Sequence, residues 1–241
     1  MTRSYSTTGY TGRYTGVNIG TEYDVNYGYD SYGRFSTVTN DSDVYTYAYL
    51  ANSNLVESIT YPNTIKVENT FESNRDLITQ VKNTYNTSIT VSQYDYTNDA
   101  IGRRTAMAKS GTAFTASDTI NYGYNDRSEV TSADAVTDAN YNFSYAFDPI
   151  GNREDYTTNE TGSAVTSDYT TNNLNQYTSI TNPSQSPTYD DDGNMTSDGT
   201  WTFEWNGENR IKKATSGTTV LEFIYDYDGR RLKRKLLRIQ R

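Results

Sequence analysis

Apolar and polar residues alternate along most of this 241-residue chain. Tyr27 and Tyr29, Tyr145 and Phe147, and Trp201, Phe203 and Trp205 each fall at every second position, so each set shares one face of a strand. No segment sustains a 3.6-residue apolar period, which predicts a helix content near zero. The alternating runs are punctuated by a recurring phrase. It reads aromatic, Asp or Asn, two free residues, Gly or Asn, Arg or another polar residue, then an apolar one. It is cleanest at Tyr27–Phe35, Tyr145–Arg153, Tyr189–Met195, Phe203–Ile211 and Tyr225–Leu232.

Aligned on its acidic position, the phrase occurs ten times, at Asp30, Leu50, Glu72, Asp99, Asn125, Asp148, Asn172, Asp190, Asn206 and Asp226. Repetition near 20 residues signals an array of small supersecondary units. The Asp opens a type I turn, where its carboxylate can accept backbone N–H groups. Gly33, Gly102, Gly151, Gly193 and Gly229 come three residues later, where a left-handed conformation is wanted. Asn54, Asn175 and Asn209 stand at or next to that place in degenerate copies. An apolar residue such as Phe35, Leu55, Leu77, Val130, Met195, Ile211 or Leu232 then begins the return strand. Each unit is thus a β-hairpin, and ten units give about 20 strands. The expected fold is all-β, with tandem antiparallel hairpins joined side by side into one continuous, coiling sheet. The array fills residues 1–241 and is clearest over 26–236. The Ala/Ser/Thr/Asp-rich stretches Ala106–Asp118 and Thr131–Asn140 read as long loops.

Composition changes this picture in three ways. Leu, Ile, Val and Phe together number only 39, so the 24 Tyr must carry much of the apolar burial. Cys and His are both absent. That removes disulfides, thiolate metal sites and the usual general base, and argues against an enzyme. Net charge is -9, yet the last 12 residues hold 7 of the 21 basic side chains. The acidic body argues against nucleic acid as a partner, and residues 230–241 read as a basic final strand with a frayed end. No apolar run is long enough for a membrane span, and the start of the chain has no signal-peptide pattern.

The strings YDSYGRF, FDPIGNR, YDDDGNM…WTFEWNGENRIKKA and YDYDGRRL resemble the YD repeats of the Rhs family. Related repeats occur in the BC shells of bacterial ABC toxins, in wall-associated bacterial proteins and in animal teneurins. The resemblance runs from about Tyr23 to Lys235. It implies a strip of hairpins that is part of a hollow shell enclosing a toxin or other polypeptide segment. On this reading the chain is a non-catalytic array, a piece of a longer secreted or cell-surface protein, sited just upstream of the Rhs core. Its partner is the enclosed polypeptide or the rest of that protein. The alternative is a cell-surface adhesin or carbohydrate-binding array.

Several residues invite a sharper reading. Asp148-Pro149-Ile150-Gly151 resembles the stretch near the self-cleavage site of Rhs cores, but it falls in phase with the other turns and reads as one of them. Asp190–Asn194 suggests a calcium loop, yet the twelfth position of that template is Trp201, where a Glu is required. Trp201, Phe203 and Trp205 could stack sugar rings or pack on the next hairpin. No carboxylate pair is singled out for acid–base work. Catalytic, cofactor and metal residues are therefore expected to be none. The structural turn residues are Asp30, Gly33, Asp99, Gly102, Asp148, Gly151, Asp190, Gly193, Asn206, Asp226 and Gly229.

Overall fold

A computed structural model describes residues 1–9 and 11–238. The chain divides into two compact units: Met1–Ser128 with Asp134–Asp138, and Glu129–Ala133 with the chain from Ala139 onward. The first unit holds β1 (Thr2–Tyr5), β2 (Tyr14–Ile19), β3 (Tyr23–Tyr29), β4 (Phe35–Asn40), β5 (Asp43–Tyr49), β6 (Val56–Thr60), β7 (Ile65–Phe71), β8 (Ile78–Tyr85), β9 (Ile89–Asn98), β10 (Arg104–Ser110) and β11 (Asp118–Tyr124). Each pairs antiparallel with its chain neighbours in that unit.

After β12 (Val130–Ala135), the second unit holds two sheets. One contains β13 (Phe143–Phe147), β14 (Arg153–Thr158), β15 (Val165–Thr171) and β16 (Tyr177–Ile180), with residues 132–133 of β12 alongside β13. The other is β17 (Thr188–Tyr189), β18 (Met195–Ser197), β19 (Thr202–Trp205), β20 (Ile211–Ser216), β21 (Thr219–Tyr225) and β22 (Arg231–Arg238). The fold is therefore all-β. The one non-strand element among the described residues is a 3-10 turn at Ala139–Tyr141.

The two long-loop expectations need correction. Ala106–Ser110 lies within β10 and Asp118 opens β11, so the loop shrinks to residues 111–117; Val130–Ala135 is likewise a strand. Small Ala, Ser and Thr side chains look loop-like by composition, but here they fill ladder positions, such as Ala106↔Asn121 and Ala108↔Thr119. The basic stretch forms a full strand, paired from Arg231↔Tyr225 to Arg238↔Thr219. Its frayed end was expected within residues 230–241, of which 239–241 lie outside the described residues.

The sheets enclose little apolar core. Only Val25, Ala214 and Val220 are buried apolar residues among those described, and no side chain is completely enclosed. The accessible surface is 15735 Å², against about 11,000 Å² for a compact monomer of this mass. Stability must therefore come from ladders, ring contacts and turn chemistry more than from a deep core.

Candidate functional site

Every one of the ten turns joins an odd-numbered strand to the next even-numbered one, so in each unit they share one edge. Their geometry repeats closely. At Asp30, Asp99, Asp148, Asn172, Asp190, Asn206 and Asp226 the backbone N–H donates to the carbonyl four residues on, at 2.8–3.0 Å. The residue three places on returns an N–H to the first at 3.0–3.1 Å. That residue is left-handed: φ is 84° at Gly33, 91° at Gly102, 93° at Gly151, 84° at Gly193 and 80° at Gly229. Asn175 and Asn209 adopt it at 66° and 56°. Leu50 and Glu72 open turns one residue longer, closing on Leu55 and Leu77.

The acidic side chain organises the turn. Asp148 Oδ1 accepts the N–H of Ile150 at 3.0 Å and of Asn152 at 2.8 Å, while Oδ2 takes the Asn152 side chain at 2.7 Å. Asp30 and Asp99 do the same with Arg34 and Arg103. Side-chain hydrogen bonds from Arg103 and Asn152 hold Asp99 and Asp148 below the usual carboxylate range. At Asp30 and Asp190 desolvation opposes the charge, but the hydrogen bonds from Arg34 and Asn194 outweigh it and lower the pKa too. Asp148 thus sits in a turn like its neighbours, and Asp190 spends its oxygens on Asp192 and Asn194. Among the described residues no cluster of acids could hold a metal ion.

In six turns a polar side chain at or near the closing end also reaches the next turn, which the sequence alone did not disclose. Arg34 donates to the Ser53 carbonyl. Arg75 reaches the Asp99 carbonyl at 2.9 Å, Arg103 the Ser128 hydroxyl at 3.2 Å and Arg210 the Asp226 carbonyl at 3.3 Å. Asn152 and Asn194 donate to the side-chain oxygens of Asn175 and Asn209, at 2.6 and 2.9 Å. A Cβ on Gly33 or Gly229 would meet the guanidinium of Arg13 or Arg210 at 2.5 or 2.9 Å. The left-handed residue is thus either Gly, lying under the preceding arm, or a short polar residue that bonds to it.

In four hairpins the aromatic before the turn points the other way, to the preceding hairpin. Tyr29 Oη donates to the Tyr14 carbonyl at 2.6 Å, Tyr124 Oη to that of Arg104 at 2.7 Å and Tyr189 Oη to that of Tyr177 at 3.1 Å. Trp205 fills the same slot and donates its indole N–H to the Met195 carbonyl at 2.8 Å. Trp201, Phe203 and Trp205 are all half-buried. Beyond each of ten of the hairpin turns, counting that between β1 and β2, the register slips by one residue. The extra residues are Thr15, Ser36, Glu57, Thr79, Thr105, Glu154, Thr178, Thr196, Lys212 and Leu232. Thr79, Thr105 and Thr178 donate their hydroxyls to carbonyls across the bulge, at 3.2–3.3 Å. Such bulges sharpen the local twist.

Directly paired residues share a face, so the register assigns the faces. In the β13–β16 sheet one face carries Phe143, Tyr145, Phe147, Arg153, Tyr156, Tyr169 and Tyr177, with ring centroids 5.3–6.4 Å apart. The carboxylates Asp155 and Asp168 pair with each other on the opposite face. In the first unit Tyr5, Tyr14, Tyr27 and Phe35 form a similar ring row, at 5.5–5.7 Å. Burial pushes the Tyr27, Tyr122 and Tyr145 hydroxyls up. One acid the sequence left unremarked is Asp118. It is buried and takes N–H groups from Thr119, Thr137 and Asp138 at 2.7–3.0 Å, tying residues 137–138 to β11.

Ladders, turns and faces together define a tandem β-hairpin array, and comparison with solved structures gives the same fold. The Photorhabdus luminescens Tc holotoxin pore matches over 92% of this chain with a TM-score of 0.70 at 16% identity. The TcdB2–TccC3 complex matches over 96% with 0.62 at 14%. This chain spans 13% and 15% of the length of those chains. In sequence, 93 residues are 36% identical to the tRNA nuclease WapA of Bacillus subtilis, and equally to the tRNA3(Ser)-specific nuclease WapA of Bacillus spizizenii. That stretch is 37% of this chain and 4% of each relative's length. No protein-family profile matches the chain.

Proposed function

We propose that this chain is a non-catalytic wall segment of an Rhs/YD-type shell, whose aromatic face lines a compartment around another polypeptide. The observation that carries this reading is the two-way lock between successive hairpins, set on sheets that bury only three apolar side chains among the described residues. Arms from six turns hold the next, and rings from four hairpins hold the one before. Such a construction resists separation of the strips while leaving a broad, mildly polar surface free. Tyr hydroxyls and Thr on that surface suit an extended chain held in no single pose. Relatives of this fold occur in toxin assemblies, which supports placement in a longer secreted or surface protein. Among the described residues no helix is long and apolar enough to cross a membrane.

The test is protection. An unstructured 30-residue reporter would be fused through a flexible linker after Arg241 and digested with a broad-specificity protease. Cleavage of the reporter should be slower than in the same reporter fused to an unrelated β-protein. Equal cleavage rates would overturn the proposal.

A further inference from the structure

The eleven positions immediately after a turn's closing residue are mostly apolar or aromatic: Tyr14, Phe35, Val56, Ile78, Val130, Tyr177, Met195 and Ile211. Arg104, Arg153 and Arg231 occupy the same slot, and each lies over a ring of the same face. Arg104 sits 3.5 Å from the Tyr96 centroid and Arg231 5.2 Å from that of Phe223. Arg153 is surrounded by Tyr145, Tyr156 and Tyr169 at 5.7, 5.6 and 5.4 Å. Its backbone N–H donates to Tyr177 Oη at 2.9 Å, and one terminal nitrogen reaches Tyr169 Oη at 3.4 Å. Its Nε is buried without a hydrogen-bond partner.

Among the described residues no carboxylate lies within ion-pair distance of Arg153, unlike Arg34, Arg75, Arg103, Arg210 and Arg230. Of the strand acids of this sheet, Asp155 and Asp168 project from the other face, and Glu154 is the exposed extra residue of the β14 bulge and does not pair with Arg153. Glu160, beyond β14, is close enough to act on the Tyr145 hydroxyl but does not pair with Arg153. Arg153 is thus the one ionic group that the paired register of β13–β16 places on the aromatic face. A guanidinium stacked on rings still keeps its in-plane N–H groups for a carboxylate, which it takes in a fork geometry. The acids behind the sheet act through about 10 Å of separation, roughly one Debye length at 0.1 M salt.

We infer that the aromatic face of β13–β16 binds an extended acidic polypeptide, with Arg153 receiving a carboxylate and the tyrosine rings carrying the neighbouring side chains. This names the chemistry of the enclosed chain and rests on the wall reading above. The test uses the whole chain and three unstructured 20-residue peptides of matched composition, carrying Glu, Gln or Lys at the same positions. Binding is followed by NMR, including the Arg153 Nε–H signal. The Glu peptide should bind about fivefold tighter than the Gln peptide, move the Arg153 signal, and lose its advantage as salt rises. Arg153→Gln should erase the preference and leave Gln-peptide affinity unchanged, while Arg153→Lys should keep part of it. If Arg153→Gln fails to fold, the peptide series on the native chain still decides. Equal affinity for Glu and Gln peptides, or a preference that survives in Arg153→Gln, overturns this inference and leaves the wall reading standing. Binding of none of the three peptides removes both.

Discussion

Gly111 offers the sharpest test of how tightly these hairpins are fitted. It ends β10 at φ 119°, and a Cβ there would lie 2.6 Å from the Val91 carbonyl oxygen and 2.9 Å from the Ser92 Cα. Both neighbours are β9 backbone, and Ser92 is held in register against Asn83, so neither can give way cheaply. The missing side chain lets the following residues lie on β9: Thr112 N–H donates to the Thr90 carbonyl at 3.0 Å and Ala113 N–H to that of Val91 at 2.8 Å. Phe114 then meets Tyr94 edge-on at 5.7 Å. In Gly111→Ala the left-handed backbone adds about 1–2 kcal/mol of strain. Lifting the segment off β9 forfeits two hydrogen bonds at about 1 kcal/mol each and a ring pair of similar size. The expected loss is about 4–5 kcal/mol. Gly217→Ala is the control, because its φ is 55° and nothing stands within 4 Å of the new Cβ; strain alone predicts about 1 kcal/mol. Urea unfolding gives the loss. Amide exchange at Thr112 and Ala113 gives its location, which matters because arrays can open in parts. Losses that agree within about 0.5 kcal/mol, or undiminished protection at those two amides, would refute the reasoning.

Three further outcomes are expected. Tyr29→Phe should cost about 1 kcal/mol in urea unfolding by removing the hydroxyl's bond to the Tyr14 carbonyl, whereas Tyr32→Phe, at a 75% exposed site, should change nothing measurable; equal effects would contradict the ring-to-backbone lock. Asp30, Glu72, Asp99, Asp118, Asp148 and Asp190 all have lowered folded-state pKa values, so the folded form binds protons more weakly than the unfolded one. Their stabilisation is whole above the ordinary carboxylate range and is lost as pH falls through the lower folded values: urea midpoints should be flat from pH 7 to about 5 and drop below about pH 4. Asp148→Asn should make that drop shallower, and midpoints constant down to about pH 3 would contradict the turn electrostatics. Finally, a double-mutant cycle of Asn152→Ala with Asn175→Ala should show coupling of about 0.5–1 kcal/mol, while Asn152→Ala with Asn209→Ala should be additive; coupling absent from the first pair would remove the turn-to-turn bond.

What could be read from the sequence followed from local chemistry. Asp or Asn followed three places on by Gly or Asn has few uses other than a tight reversal, so the turn edge and the all-β class were legible. Other features depend on what a residue meets in the neighbouring hairpin. Arg34 and Arg103 read as turn-closing polar residues, and nothing in their own phrase says they span to Ser53 or Ser128. Ser128 and Thr64 adopt φ of 66° and 67°, places where Gly or Asn would have announced a turn. The hairpin between β1 and β2 escaped notice because Ser6 stands where Asp is expected and its loop runs on to Arg13. Leu232 reads as the first residue of a return strand; it is instead the extra residue of a bulge and 68% exposed. The aromatic face was legible as alternation, but the placement of Asp155 and Asp168 on the other face needed the register, because a one-residue bulge exchanges the two faces.

The forward arms and backward rings share one more property. The hydrogen-bonded partners they join lie between 10 and 25 residues apart along the chain. Each new hairpin can therefore complete its grip using only polypeptide already synthesised, with no distant strand to wait for. Low contact order of this kind favours rapid assembly and shortens the time an unpaired edge stays open to strangers. A nascent chain built this way tidies up behind itself, two strands at a time.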